Sequence, residues 1–297
     1  MVMLSKDPQD NATNTATNTT SNASANKPSK KMHFFVKVGI ALSVLSVMLT
    51  GGMYGVMTAH GVTVSIEDRE LSSAVRPISE QVINVEMSGP FDLVLVQNAK
   101  AGIHISAPKN VLEQIETSVE GDTLRISAKR NVAVNFGHSK IEVSLPKLSK
   151  LEIQGSGAST VNGFSGENLS LALRGSGDVG FDGKYKNILA NLRGSGDMRI
   201  NGGNSDDVKL ELNGSGDMIV QGHSKALSTK LNGSGDLNAE NLPSDSVNVE
   251  LHGSGNTAVH AKQSVKVALR GSGDITIHGQ PSQRDVMVKG SGDVEFE

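Results

Sequence analysis

The chain has 297 residues, with 33 Gly, seven Phe, two Tyr, no Trp and no Cys. That length allows one or two domains. So few rings exclude a conventional aromatic-rich core and suit a thin, repeated core of Val, Ile and Leu. A formal net charge of −3 gives no general attraction to nucleic acid, and the lack of Cys excludes disulfides, thiolate metal sites and Cys nucleophiles.

Residues 7–29 are mostly Asn, Thr, Ser and Ala. Such a segment buries too little apolar surface to offset its ordering entropy and is expected to be disordered. Lys27, Lys30, Lys31 and Lys37 then precede an uncharged run from Val38 to Met57. As a helix rising ~1.5 Å per residue, that run spans roughly 30 Å, about one hydrocarbon core. Acids follow it at Glu67, Asp68 and Glu70, so the positive-inside rule places the N-terminus in the cytoplasm and the rest outside. A cleaved signal peptide is the rival reading, with Ala59 its best cleavage site, but its apolar region would be about 7–15 residues long. The longer run favours an uncleaved anchor, and Gly51 and Gly55 form a Gly-x-x-x-Gly pair of the kind that dimerises membrane helices.

Beyond the anchor, Phe91–Val96, Ile103–Ile105, Leu124–Ile126, Ile141–Leu145 and Leu151–Ile153 read as strands. Gly121-Asp122 marks a hairpin-like turn, and residues 111–118 read as a brief helix. This part is expected to cap the regular stack that follows.

The strongest signal is a repeat. Gly-Ser-Gly starts at Gly155, Gly175, Gly194, Gly214, Gly233, Gly253, Gly271 and Gly290, at intervals of 18–20 residues. A fixed period of this size means a stacked-repeat architecture. Each period holds two alternating runs, such as Met198 and Ile200 after a corner and Val208, Leu210 and Leu212 before the next. Period-two alternation means strands with one face buried. The pattern predicts an all-β, parallel β-solenoid with ~19–20-residue coils stacked ~4.8 Å apart. Parallel crossovers imply right-handed winding. The chain so divides into a disordered cytoplasmic tail (1–33), a transmembrane signal-anchor helix (34–59), a linker (60–77) and a β-helical domain (78–297). The β-helical domain comprises irregular N-terminal coils (78–153) and Gly-Ser-Gly coils (154–297).

The strand Phe91-Asp92-Leu93, the strand Leu124-Arg125-Ile126, the segment Val143 to Leu151 and the serial Gly-Ser-Gly-Asp corners resemble the head GIN domain family, also described as an auto-transporter adhesin. The resemblance covers roughly residues 78–297. It implies a bacterial β-helical envelope domain of undefined activity and brings no catalytic residues or cofactor. An autotransporter continues into a membrane β-barrel, and none is expected within these 297 residues.

One constellation invites a chemical reading. Asp178, Asp197, Asp217, Asp236, Asp274 and Asp293 each close a corner, with Ala158 and Asn256 as exceptions. Carboxylates stacked ~5 Å apart repel unless compensated. Asx-type hydrogen bonds to nearby backbone offer one compensation. Arg174, Arg193, Arg270 and Lys289, four residues before their acids, offer another. Asn213, Asn232 and His252 hold that position in the middle coils, which leaves Asp217 and Asp236 as candidate cation ligands. Turn residues are the blander reading. An acid pair cleaving polysaccharide is the enzymatic one, and repetition opposes it because catalysis needs a distinguished pair. The corner serines do not fit the Gly-x-Ser-x-Gly nucleophile elbow, and no phosphate-loop Lys follows them. His260 and His278 occupy equivalent positions, with no third metal ligand evident beside them.

The function expected is a non-catalytic, adhesin-like binding or scaffold module, with an envelope polysaccharide hydrolase or lyase as the alternative. The partners expected are the membrane through residues 38–57, an envelope protein or glycan, and a second copy of the chain. Pairing with that copy would use the uncapped edge at Val294 to Phe296. No cofactor and no nucleic acid are expected.

Overall fold

A computed structural model describes residues 71–130, 136 and 139–297. The tail expected over 1–33, the anchor at 34–59, the membrane contact through 38–57 and linker residues 60–70 lie outside the described residues. Among the described residues no helix is long and apolar enough to cross a membrane.

The irregular part comprises β1 (Leu71–Arg76), β2 (Asn84–Ser88), β3 (Asp92–Gln97), β4 (Gly102–Pro108), the short helix α1 (Lys109–Leu112), β5 (Ile115–Glu120), β6 (Thr123–Ala128), β7 (Lys140–Leu145) and β8 (Lys150–Gly155). Long strands follow as β9 (Ala158–Gly175), β10 (Asp178–Gly194), β11 (Met198–Gly214), β12 (Met218–Gly233), β13 (Leu237–Gly253) and β14 (Thr257–Gly271). β15 (Ile275–His278), β16 (Gln283–Gly290) and β17 (Val294–Phe296) complete the described sheet.

The long strands pair in parallel, each with the next, so the expected solenoid is present. The two apolar runs of each period form one continuous strand that bends midway. Like side chains fall above one another: Leu173, Leu192, Leu212, Leu231, Leu251 and Leu269 make one buried ladder. No single coil encloses this ladder; stacking does, and each buried Leu contributes ~1.5–3 kcal/mol.

The Gly-Ser-Gly corner holds a constant register, while the shifts fall at the mid-coil bend, as between Asn201 and Asn204 or Ile219 and Ser224. The bend absorbs the variation in period. Its interior carries serines: Ser205 Oγ donates to the Tyr185 carbonyl at 2.8 Å, and Ser224 and Ser244 share a hydrogen bond of 2.6 Å.

At the corner, backbone approach dictates glycine. Gly214 has φ +144°, and a Cβ there would overlap the Gly194 carbonyl oxygen. Gly216 has no such φ, yet a Cβ on it would overlap the Gly196 carbonyl. The N–H groups of Ser215 and Gly216 both donate to the Gly194 carbonyl, at 3.0 and 3.2 Å, and this fork recurs along the stack.

The N-terminal part caps the stack as expected, but the order of its coils differs from chain order. β2 pairs in parallel with β8 on one side and β6 on the other, and β3 likewise with β9 and β7. The segment from β2 to β3 is therefore sandwiched between later coils. β5 closes the edge of β6, β4 that of β7, and β1 that of β4, all antiparallel. Two expectations are corrected here. The helix expected over 111–118 is confined to α1, because Ile115, Thr117 and Val119 alternate as a strand against Ala128, Ile126 and Leu124. The linker expected over 60–77 gives way at Leu71 to β1, whose Arg76 donates to the Ile115 carbonyl and the Thr117 hydroxyl at 3.1 and 2.8 Å.

Ion pairs line the inverted coils. Glu86 meets Arg125 at 3.3 Å and Lys150 at 3.0 Å, Lys150 reaches Glu152 at 3.0 Å, and Glu152 meets Arg174 at 2.6 Å. The Lys150 hydrogen bond holds the Glu152 carboxyl below its ordinary pKa, and the Glu152 bond raises that of Lys150.

Candidate functional site

The corner acids form a row whose chemistry is set by the backbone of the next coil. Asp178 Oδ1 accepts the N–H of Asp197 at 3.1 Å, and Asp197 Oδ1 that of Asp217 at 2.9 Å. Asp217 Oδ1 accepts the N–H of Asp236 at 3.1 Å, and Asp236 Oδ1 that of Asn256 at 2.9 Å. Asn256 Oδ1 and Asp274 Oδ1 continue the row to Asp274 and Asp293, at 3.1 and 3.0 Å. The expected Asx bonds are thus made between coils rather than within one. The expected ion pair between Arg174 and Asp178 does not form; Arg174 turns to Glu152.

The row starts earlier than the repeat suggests. Asp92 Oδ1 accepts the N–H of Ala158 at 2.9 Å, and Gly89 sits beneath Gly155 as the corner of that coil. Gly89 and Asp92 keep the Gly-x-x-Asp spacing of the later corners, which is the sequence signal that would have found them. Ala158 breaks the row, and the Asp178 N–H then donates to the Gly157 carbonyl at 3.2 Å.

The candidate cation ligands Asp217 and Asp236 are adjacent rungs, each with Oδ1 on a backbone N–H. Among the described residues no three His, Asp or Glu side chains are placed to hold a metal ion. His260 and His278 are neighbours in register, as expected. The flanking carboxylates were not anticipated: His278 Nδ1 is 3.3 Å from Glu297 and Nε2 is 3.7 Å from Glu240.

An open groove of about 430 Å³ runs beside the last corners, lined by Asp236, Asn256, Asp274 and Asp293 and by the outward side chains of Asn238, Thr276 and Glu295. It offers carboxylate, carboxamide and hydroxyl groups in columns ~4.8 Å apart. A second hollow of about 220 Å³, on the face before the corners, is lined by Lys150, Glu152, Arg174, Asn191 and Arg193.

These features define a parallel β-solenoid with structural corners and two shallow polar faces. Residues 83–281 match the family described as "Putative auto-transporter adhesin, head GIN domain", and the chain belongs to that family. Solved structures share the fold. A "putative adhesin" from Parabacteroides merdae is 19% identical, covering 77% of this chain and 97% of its own, with a TM-score of 0.73. A "putative lipid binding protein" from Parabacteroides distasonis is 23% identical, covering 77% and 98%, with a TM-score of 0.72. A "putative adhesin" from Bacteroides fragilis is 23% identical, covering 78% and 99%, with a TM-score of 0.57. At these identities the likeness is one of fold. No curated protein matches the chain.

Proposed function

We propose that the chain is a non-catalytic, adhesin-like binding or scaffold module of the cell envelope, exposed outside a membrane, and that the groove beside the last corners takes an envelope glycan. The observation that carries this reading is the equivalence of the corner acids, whose Oδ1 atoms receive the same backbone bond in coil after coil. The groove favours binding by hydrogen bonding, since carboxylates and carboxamides accept from sugar hydroxyls. The uncharged run at 38–57, with lysines before it and acids after it, supports tethering with the solenoid outside.

A hydrolase or lyase is the second reading. Asn256 separates Asp236 from Asp274, so these acids stand two coils, about 9.6 Å, apart. That is at the outer limit of the roughly 6.5–9.5 Å that separates the carboxyls of inverting glycosidases. The test presents the chain to envelope polysaccharides and measures both retention and release of reducing ends. Ala258→Arg and Thr276→Arg fill the groove and leave the corner bonds intact; both should abolish retention, and undiminished retention would remove the groove from the reading. Turnover that Asp236→Asn abolishes in a folded protein would establish the enzyme instead.

A further inference from the structure

β16 is paired along one edge with β14, and among the described residues no strand pairs with its other edge. All eight of its residues are exposed, including Val286 at 41%, Met287 at 52% and Val288 at 44%. Val286 and Val288 stand in register with Val267 and Leu269, the last buried rungs of two core ladders. An exposed apolar strand edge is a template for another strand.

The sequence of this edge is complementary to itself. In an antiparallel pairing centred on Met287, Asp285 lies opposite Lys289, Val286 opposite Val288, and Met287 opposite its own copy. Side chains alternate between faces with period two, so the two Asp–Lys pairs share the outer face and the valines share the core face. Shifting the centre to lie between Val286 and Met287 instead sets Arg284 against Lys289, a like-charge pair. In the Met287 register Arg284 faces Gly290 and carries no clash. Its guanidinium lies over the Phe296 ring of its own chain, 4.1 Å from the centroid. Val294 and Phe296 are partly buried against the core, whereas every residue of β16 is exposed, which makes β16 the more open apolar edge.

We propose that the chain forms a two-fold dimer through antiparallel pairing of β16 with β16 of a second copy, centred on Met287. This arrangement covers the apolar rungs of both chains and uses one patch twice, as a closed isologous interface must.

The chain contains no Cys, so single introduced cysteines report the register. In the chain under mild oxidation, Met287→Cys should cross-link to itself. Thr276→Cys, away from the edge, should not. Asp285→Lys and Lys289→Asp should each weaken dimerisation by about tenfold, because each converts two symmetry-related attractions into repulsions. The double swap should restore it. Multi-angle light scattering of each purified variant measures the association, and circular dichroism checks the fold. A strict monomer at high concentration, failure of Met287→Cys to cross-link, or a double swap as weak as the single ones would overturn the proposal.

Discussion

The corner row is best probed at Asp197, where the molecule carries its own controls. Asp197 Oδ1 accepts the Asp217 N–H at 2.9 Å, and the Asp197 N–H donates to Asp178 Oδ1 at 3.1 Å. Asp197→Ala removes the first bond. At Ala158 the same loss is met by the preceding carbonyl, Gly157, at 3.2 Å, so Asp217 has a fallback in Gly196. A net hydrogen bond contributes ~0.5–1.5 kcal/mol, more with a charged acceptor. With solvent exposure and the fallback, the expected loss is about 1 kcal/mol. For a domain of this size that is a fall of roughly 2–4 °C in Tm. Asp197→Asn behaves differently, because Asn256 accepts the Asp274 N–H at 3.1 Å and its amide reaches Asp236 at 3.3 Å. The Asn variant keeps the bond and removes repulsion of about 1 kcal/mol per neighbouring pair in a water-like medium. It should equal or exceed the parent in stability at low salt, and the difference should shrink as salt screens the row. Urea unfolding followed by circular dichroism, at low and high salt, measures all three proteins. If Asn destabilised as much as Ala, the charge itself would be required and a bound cation would replace the structural account.

Three further outcomes are expected. Thr229 is buried between Leu210 and Val249, and among the described residues its hydroxyl has no hydrogen-bond partner, so Thr229→Val should raise stability by about 1 kcal/mol in urea titration; a loss would reveal a hidden partner for the hydroxyl. Gly216→Ala should cost about 3 kcal/mol or more by forcing backbone apart. Gly180→Ala, whose new Cβ would lie 3.9 Å from the Ser159 carbonyl, should be neutral or stabilising, and equal effects would refute the steric account. Tyr185 donates to the Leu148 carbonyl at 2.7 Å, and burial pushes its pKa up to about 12. Because the folded pKa lies above the unfolded value near 10, its contribution is complete below pH 10 and is lost as pH rises from about 10 to 12, by roughly 3 kcal/mol. Tyr185→Phe should flatten that alkaline loss in pH-dependent melts and remove a late-titrating phenolate from the absorbance; an unchanged alkaline loss would refute it.

The solenoid was legible because its signals are local and repeated. A Gly-Ser-Gly corner and an alternating run specify a coil, and the period specifies stacking. What was not legible depends on choices between distant partners. The alternation of Val85 and Met87 fits Leu124 and Ile126 as well as Leu151 and Ile153, and the structure uses both neighbours. Nothing in that alternation says that β2 lies between β6 and β8. Asp92 was hidden because Pro90 and Phe91 stand where later corners have Ser and Gly. The acid row itself was legible, but not the inter-coil direction of its bonds, since the Asx turn and the ladder use the same residue type.

This division also locates where specificity can reside. The corner is periodic in both geometry and chemistry, and the Oδ1 atoms of its acids hold one coil to the next. The outward columns are periodic only in geometry. Immediately before the corner the stacked residues run Arg193, Asn213, Asn232, His252 and Arg270, and beyond it Asn238, Ala258, Thr276 and Glu295. A regular spacing of ~4.8 Å carrying an irregular series of side chains can present a distinct surface at each height along the rod without altering the framework. Under the proposed reading, recognition rests on those columns together with the corner acids that line the groove, and substitutions in the columns should change binding with little change in stability.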